Sequence, residues 1–269
     1  MEENRQRRFT DTSYIQKQIT ADKDGKTLRG DLFLPLPAEG KYPLVICSHV
    51  LGAKRHTMHK YCRIFASHGA AAVCFDFGGC GESDGDPLQM SLLTEAEDLK
   101  TIISSACEWD FVKRDMIILL GESQGGAASA IAAAEMKEYV KGMILCFPAL
   151  NIPDVFEELY PDPSSVPDSF YFRWLTLGRK YAEDVRNYDI YSVISEYEGP
   201  VLLMHGDNDD LVDISYSEKA AEVYRDVSYH VIEGAGHRFR DDLFEQAEEY
   251  IFSWMKENRM LLPERSDRR

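Results

Sequence analysis

A serine stands alone between glycines in L-L-G-E-S-Q-G-G-A-A-S, residues 119–129, and its neighbours prescribe what its hydroxyl could do. Four apolar residues, Ile117, Ile118, Leu119 and Leu120, lead into it and read as a buried strand. The alanine-rich run Gln124–Met136 reads as a helix. G-E-S-Q-G must turn the chain between them within a few residues, which holds Ser123 in a strained conformation with its hydroxyl at the strand end, above the helix start. Glycines flank it because side chains there would collide with the neighbouring strand and helix. A hydroxyl so placed is a candidate nucleophile. The bland alternative is an ordinary Gly-rich turn from strand to helix.

A serine nucleophile needs a base, and the base needs a group to orient it. Of the seven histidines, His237 lies in E-G-A-G-H-R-F, on a glycine-rich loop between a strand-like run and the last helical stretch. His230 falls inside that strand and reads as packed; His205, directly after V-L-L-M, reads as a residue that stabilises its own loop. The loop H-G-D-N-D-D-L-V offers the acid as Asp207, Asp209 or Asp210, with Asp213 behind, and chemistry alone does not choose among them. The order along the chain is then Ser, Asp, His.

Other residues invite different chemistry and are weaker candidates. Asp76-Phe77-Gly78 spells D-F-G without the Gly-rich loop, H-R-D motif or lysine context of a kinase. His49, His56 and His59 carry no acidic or thiolate neighbours in the sequence, so H-x-x-H reads as a surface helix start and no metal is expected. G-G-C-G-E-S-D-G lacks the G-K-[ST] ending of a phosphate cradle; Asp76 and Ser83 are expected to fix that loop against the site.

The elements that must position these residues follow from periodicity. Tyr14–Thr20 and Thr27–Leu34 alternate polar and apolar around D-K-D-G-K and read as an antiparallel hairpin. Beyond L-P-L-P-A-E-G-K-Y-P, apolar runs alternate with helical stretches: LVIC, Met58–His68, AAVCFDF, Leu92–Trp109, MIILL, Gln124–Met136, GMILCF, VLLM, Ser217–Tyr224, SYHVI and Leu243–Lys256. This spacing implies an α/β fold, a mostly parallel sheet with helices on both faces. Residues 148–199 interrupt the alternation with five of the eleven prolines and many aromatics, and read as a small cap inserted within a single 269-residue domain. Its rings should line a pocket mouth, build a small packed subdomain, or do both. The terminal L-P-E-R-S-D-R-R reads as a frayed tail.

Composition narrows the partners. A hydrophobic fraction of 44% is ample for a core. A formal charge of −16 disfavours nucleic acid and anionic membranes, and strongly anionic substrates too unless a local basic patch overrides the field. The N-terminus has basic residues with no apolar run behind them, and no stretch approaches the roughly 18 apolar residues of a membrane span. Six cysteines show no C-x-x-C spacing, and Cys47, Cys74 and Cys146 lie in strand-like runs, which suits a reducing, cytoplasmic setting.

From beginning to end the chain resembles the α/β-hydrolases, and within them the small bacterial cinnamoyl/feruloyl esterases. The stretches that carry the likeness are G-E-S-Q-G-G, F-D-F-G-G-C-G-E-S-D-G, P-D-S-F-Y-F-R-W-L-T-L-G, H-G-D-N-D-D-L-V and I-E-G-A-G-H-R-F. In the family's H-G-x-x-D-x-x-V pattern the acid falls on Asp209. The oxyanion hole should comprise the N–H of Gln124, after the nucleophile, and by position that of Leu51. The family usually reads H-G-F-x-G in that second loop, whereas His49-Val50-Leu51-Gly52 puts valine where a glycine is usual. The resemblance also implies that Asp154 and Tyr181 bind the phenolic end of the substrate; the alternative for Asp154 is the cap of a helix beginning at Val155. The activity implied is a cofactor-free serine carboxylic-ester hydrolase acting on hydroxycinnamate esters through an acyl-enzyme. A general carboxylesterase, monoacylglycerol lipase, thioesterase or peptidase on the same core is the alternative, and a non-catalytic hydrolase-fold binding protein is the alternative of another class. The expected partner is a small-molecule ester, with neither nucleic acid nor membrane; a homodimer is left open.

Overall fold

The alternation of apolar and helical runs resolves into strands and helices close to where the periodicity puts them. The structure, a computed structural model, describes residues 13–38 and 40–261. The N-terminal basic stretch up to residue 12 and the terminal tail from residue 262 lie outside the described residues. The strands are β1 (Tyr14–Lys23), β2 (Lys26–Pro35), β3 (Tyr42–Ser48), β4 (Ala71–Phe75), β5 (Val112–Glu122), β6 (Val140–Cys146), β7 (Ser169–Phe172), β8 (Leu175–Gly178), β9 (Val201–Gly206) and β10 (Val227–Ile232). The helices are α1 (His59–Ser67), α2 (Leu92–Ala106), α3 (Gln124–Glu135), α4 (Ile152–Leu159), α5 (Arg179–Val185), α6 (Ile190–Ile194), α7 (Ser215–Val223) and α8 (Asp241–Glu257).

Eight strands form one sheet in the order β1-β2-β4-β3-β5-β6-β9-β10. β1 pairs with β2, and β2 with β4, antiparallel; every pairing from β4 to β10 is parallel. The hairpin closes through Asp24 and Gly25, both at positive φ (53° and 79°), the geometry that a two-residue turn demands and that Asp-Gly supplies. The central strands read as continuous apolar runs because both faces are covered. Leu44, Ile46, Ile117 and Leu119 pack on one side with Leu99 of α2, Ala127 of α3 and Tyr181 of α5. Val45, Cys47, Ile118 and Leu120 pack on the other with Cys62 and Phe65 of α1 and Ile251 and Trp254 of α8. Residues i and i+1 of one strand thus face opposite cores.

Between β6 and β9 the chain leaves the sheet. α4, the separate β7–β8 hairpin, α5 and α6 occupy this segment. Its aromatics pack on one another, with the Phe156 ring 4.9 Å from Tyr181 and 5.0 Å from Phe172 and the Tyr160 ring 5.2 Å from Phe170. Ser91 ties α2 to this segment. Its hydroxyl accepts from the Thr94 N–H, completing a reciprocal cap at the start of α2, and donates to the Asp184 carboxylate of α5 at 2.5 Å.

Candidate active site

Ser123 sits between β5 and α3 at φ 51°, ψ −119°, outside the regions an L-residue adopts without strain. The surrounding backbone holds it there. Its N–H donates to the Cys146 carbonyl (3.0 Å), and its own carbonyl accepts from Ala127 (3.0 Å) and Ala149 (2.9 Å). The flanking glycines are steric necessities. A Cβ on Gly121 would lie 2.3 Å from the Gly125 oxygen, and one on Gly125 would lie 2.5 Å from the oxygens of both Ser48 and His49.

The structure brings Ser123, His237 and Asp209 into one hydrogen-bonded chain. Ser123 Oγ is 2.8 Å from His237 Nε2, and His237 Nδ1 is 2.7 Å from Asp209 Oδ2. His237 follows β10, and its ring packs edge-on against Phe147 at 5.0 Å. Asp209 follows β9, and its side chain is fully buried. The same Oδ2 receives His205 Nε2 at 3.0 Å, while Oδ1 accepts the N–H groups of Leu211 (2.9 Å) and Val212 (3.0 Å). Burial acts to raise the Asp209 carboxyl, but the hydrogen bonds from His205, His237, Val212 and Leu211 prevail and hold it well below the usual carboxylate range. The neighbouring acids are engaged elsewhere. Asp207 accepts the Gly234 N–H at 2.6 Å, Asp213 accepts the Ser215 N–H at 2.9 Å, and Asp210 lines the cavity without reaching the imidazole.

Leu51 and Gln124 both line the cavity beside Ser123. Gln124 is the first residue of α3, so its N–H has no partner within the helix. Among the described residues neither this N–H nor that of Leu51 is taken by an acceptor. The close approach of Gly125 to Ser48 and His49 sets the helix start against the loop that carries Leu51. Valine at position 50 causes no backbone conflict, because the positive φ of this loop falls on Gly52 (69°). His49 fastens the loop: its Nδ1 lies 2.9 Å from the Val50 carbonyl, its Nε2 accepts from Phe77 N–H at 3.4 Å, and burial shifts it toward the neutral form.

The cavity measures about 810 Å³ and is lined by Ser123, His237 and side chains of the segment between β6 and β9, including Ile152, Phe156, Phe172, Trp174 and Tyr181. The aromatics therefore both pack together and line the pocket. Tyr181 is fully buried and its hydroxyl donates to Gln124 Oε1 at 2.5 Å, so that group is occupied rather than open to a phenol. Asp154 does not line the cavity; its Oδ2 accepts from the Tyr216 hydroxyl at 2.9 Å. Nor does it cap a helix at Val155: α4 begins three residues earlier, at Ile152, with Pro153 as its second residue, and Asp154 lies in its first turn.

Two further expectations meet the structure differently. Asp76 accepts from the backbone N–H groups of Arg55 (2.7 Å) and Glu82 (3.0 Å) and pairs with the Arg55 guanidinium, while the Ser83 hydroxyl donates to the Asp76 carbonyl at 2.5 Å, so this pair does fix its loop. His59 is not short of acidic or thiolate neighbours. Asp31 of β2 and Cys74 of β4 place one potential ligand atom each within 4.8 Å of each other and of the imidazole. Asp31 Oδ2, however, already meets both His59 Nε2 (2.8 Å) and Arg55 Nε (3.1 Å). These partners are 28 and 15 residues from His59 and meet it only across the folded sheet, which local spacing cannot show. Sequence reading also missed Phe147, whose packing sets the imidazole, and Glu122, whose carboxylate accepts the Tyr61 hydroxyl at 2.9 Å behind the nucleophile.

A mostly parallel eight-stranded sheet, with a serine on a strand-to-helix elbow and the acid and histidine after later strands, defines an α/β-hydrolase. Residues 41–180 match the family model of the serine aminopeptidases, S33, and the chain belongs to that family. It is 26% identical to Est1E from Butyrivibrio proteoclasticus, solved with ferulic acid bound, over 88% of this chain and 98% of that one, with a TM-score of 0.81. It is also 26% identical to human mitochondrial palmitoyl-protein thioesterase ABHD10, covering 76% of this chain and 69% of that protein. An uncharacterized Mycobacterium tuberculosis protein is 25% identical over 81% of this chain and 71% of its own length. Among the described residues no helix is long and apolar enough to cross a membrane.

Proposed function

We propose that the protein hydrolyses carboxylic esters through an acyl-enzyme formed on Ser123. The observation that carries this reading is the continuous chain from Ser123 Oγ through His237 to Asp209, with spacings of 2.8 and 2.7 Å, opening on a cavity beside two untaken backbone N–H groups. Ser123 Oγ attacks the ester carbonyl carbon while His237 Nε2 takes the hydroxyl proton. The carbonyl oxygen becomes an oxyanion held by the Leu51 and Gln124 N–H groups. Asp209 keeps the imidazole in the tautomer with hydrogen on Nδ1 and stabilises its cationic form. As the tetrahedral centre collapses, Nε2–H passes its proton to the leaving oxygen; a water activated by the same nitrogen then releases the acid.

The acyl group we assign is a planar aryl acid of the hydroxycinnamate type. Phe156, Phe172, Trp174 and Tyr181 supply ring faces and edges for it, and the likeness to Est1E supports the same choice. Turnover of a chromogenic short acyl ester by wild type and Ser123→Ala tests the reaction. The substitution should lower kcat by at least about 10³ with an unchanged circular dichroism spectrum; retention of more than about a tenth of the activity contradicts the assignment. A panel of ferulate, butyrate and palmitate esters tests the acyl choice, and a strong preference for the long aliphatic chain would leave only a general esterase.

A further inference from the structure

The cavity carries a charge opposite to that of the protein around it. The chain holds 46 acidic residues against 30 lysines and arginines, yet the cavity is lined by Arg173, Arg238 and Arg240 and by a single carboxylate that reaches its surface, Asp210. Outside the cavity six of the eight described arginines, Arg29, Arg55, Arg114, Arg179, Arg186 and Arg225, pair with a carboxylate, and Arg63 and Arg259, far apart in the chain, have no ion pair among the described residues. Among the described residues the three at the cavity have no such partner; Arg173 lies 5.5 Å from the ring of Phe172. Surplus acids on the surface leave unpaired cations at one mouth conspicuous, and cations so placed set a local field that attracts anions.

Their position says which half of the substrate they meet. His237 Nε2 must hand its proton to the leaving oxygen, so the leaving group lies on the imidazole side of Ser123. Arg238 and Arg240 follow that histidine directly, in the loop before α8. The aromatic side chains lie on the segment between β6 and β9, away from this loop in sequence, with Arg173 at the turn between β7 and β8. We infer that the alcohol part of the substrate carries a carboxylate or phosphate, held by Arg238 and Arg240 with Arg173 at the mouth. This rests on the ester-hydrolase reading. Guanidinium groups suit both anions, because their paired N–H donors match two oxygens at once.

Three esters of one aryl acid separate the outcomes: those of propan-1-ol, 3-hydroxypropanoate and 3-hydroxypropyl phosphate. At low salt kcat/KM should be about tenfold or more higher for an anionic ester than for the neutral one, and the better of the two identifies the anion. Raising the ionic strength to about 0.5 M should shrink that ratio, because the arginines are exposed and screening is strong there. In the R238Q/R240Q variant, with folding checked by circular dichroism, the ratio should fall toward one. Equal or better turnover of the neutral ester by wild type overturns the inference and leaves the ester-hydrolase reading standing. A ratio that survives both high salt and the double substitution also overturns it. If the double variant fails to fold, the salt series on wild type and R173Q decide by the same criterion. Turnover of none of the three overturns the inference together with the aryl-acyl assignment, and the chromogenic short acyl ester then decides the ester-hydrolase reading separately.

Discussion

Asp209 receives two hydrogen bonds on each oxygen, and only one of the four comes from the imidazole that would do chemistry. The other three fix the carboxylate so that it meets His237 Nδ1 without rearrangement. Asp209→Asn should therefore lower kcat by about 10⁴, since an amide can present N–H to Nδ1 and force the wrong tautomer. Asp207→Asn and Asp210→Asn should each stay within about tenfold of wild type; steady-state kinetics on one chromogenic ester compares all three, and a larger loss at either neighbour reassigns the acid. Because its carboxyl is held far below the usual range, Asp209 stays ionised wherever the protein is assayed. Loss of activity on acidification should then report protonation of the base alone, and kcat/KM should rise with pH along a single acid limb. A second ionisation on that limb would contradict it. The loop pattern made Asp209 legible in the sequence, and so did the assignment of His205 to its own loop. What the sequence did not carry is that His205 grips the same oxygen as His237, since that depends on how the loop folds back.

The elbow, rather than the serine alone, is the element that sets the geometry. Gly125 lies where the start of α3 meets the end of β3, and a Cβ there would meet two carbonyl oxygens at 2.5 Å, neither of them on a flexible side chain. Gly125→Ala should lower stability by roughly 1–3 kcal/mol and also lower kcat, because relief of the clash shifts the Leu51 and Gln124 N–H groups. Gly234→Ala makes the control: its φ of 77° is strained for alanine, but nothing lies within 4 Å. It should cost about 1 kcal/mol with kcat nearly unchanged. Denaturant melts and kinetics on both variants check the contrast; equal effects on kcat would contradict the role given to the elbow. Strand positions were readable because the central strands β3, β4 and β9 are buried on both faces and read as continuous apolar runs, while the β1–β2 hairpin alternates around its Asp-Gly turn. The segment between β6 and β9 was less so. Its prolines and aromatics mark an insertion, but composition does not say which ring turns inward. Asp154 meets Tyr216 and Tyr181 meets Gln124, partners 62 and 57 residues away, so the roles that resemblance gave these two residues did not anticipate their contacts.

At the scale of the whole molecule, one buried acid couples stability to pH. Glu95 of α2 is 1% exposed, and neither of its carboxyl oxygens has a hydrogen-bond partner among the described residues. Burial pushes it up to about 8, outweighing a favourable contact with Gln124, and the negative Asp98 adds to the rise. The folded protein thus holds Glu95 neutral, whereas the unfolded chain ionises it near the ordinary glutamate value. Its contribution to stability is complete below about pH 4.5 and is lost as pH rises through about 8. Relative to Glu95→Gln, wild type should lose about 1.4 kcal/mol per pH unit within that window. Chemical denaturation at pH 5, 7 and 9 measures it, and parallel pH profiles for the two proteins would refute the assignment. The central claim, a covalent acyl-enzyme on one serine, is tested most directly by trapping it. Treatment with a fluorophosphonate, which phosphonylates an activated serine, followed by intact mass and peptide mapping, should show one adduct per chain, on the peptide containing Ser123. Hydrolysis of the chromogenic ester should be lost in step with labelling, and Ser123→Ala should take no label. Full ester turnover by a protein that remains unlabelled, or an adduct at another residue with loss of activity, would contradict the account.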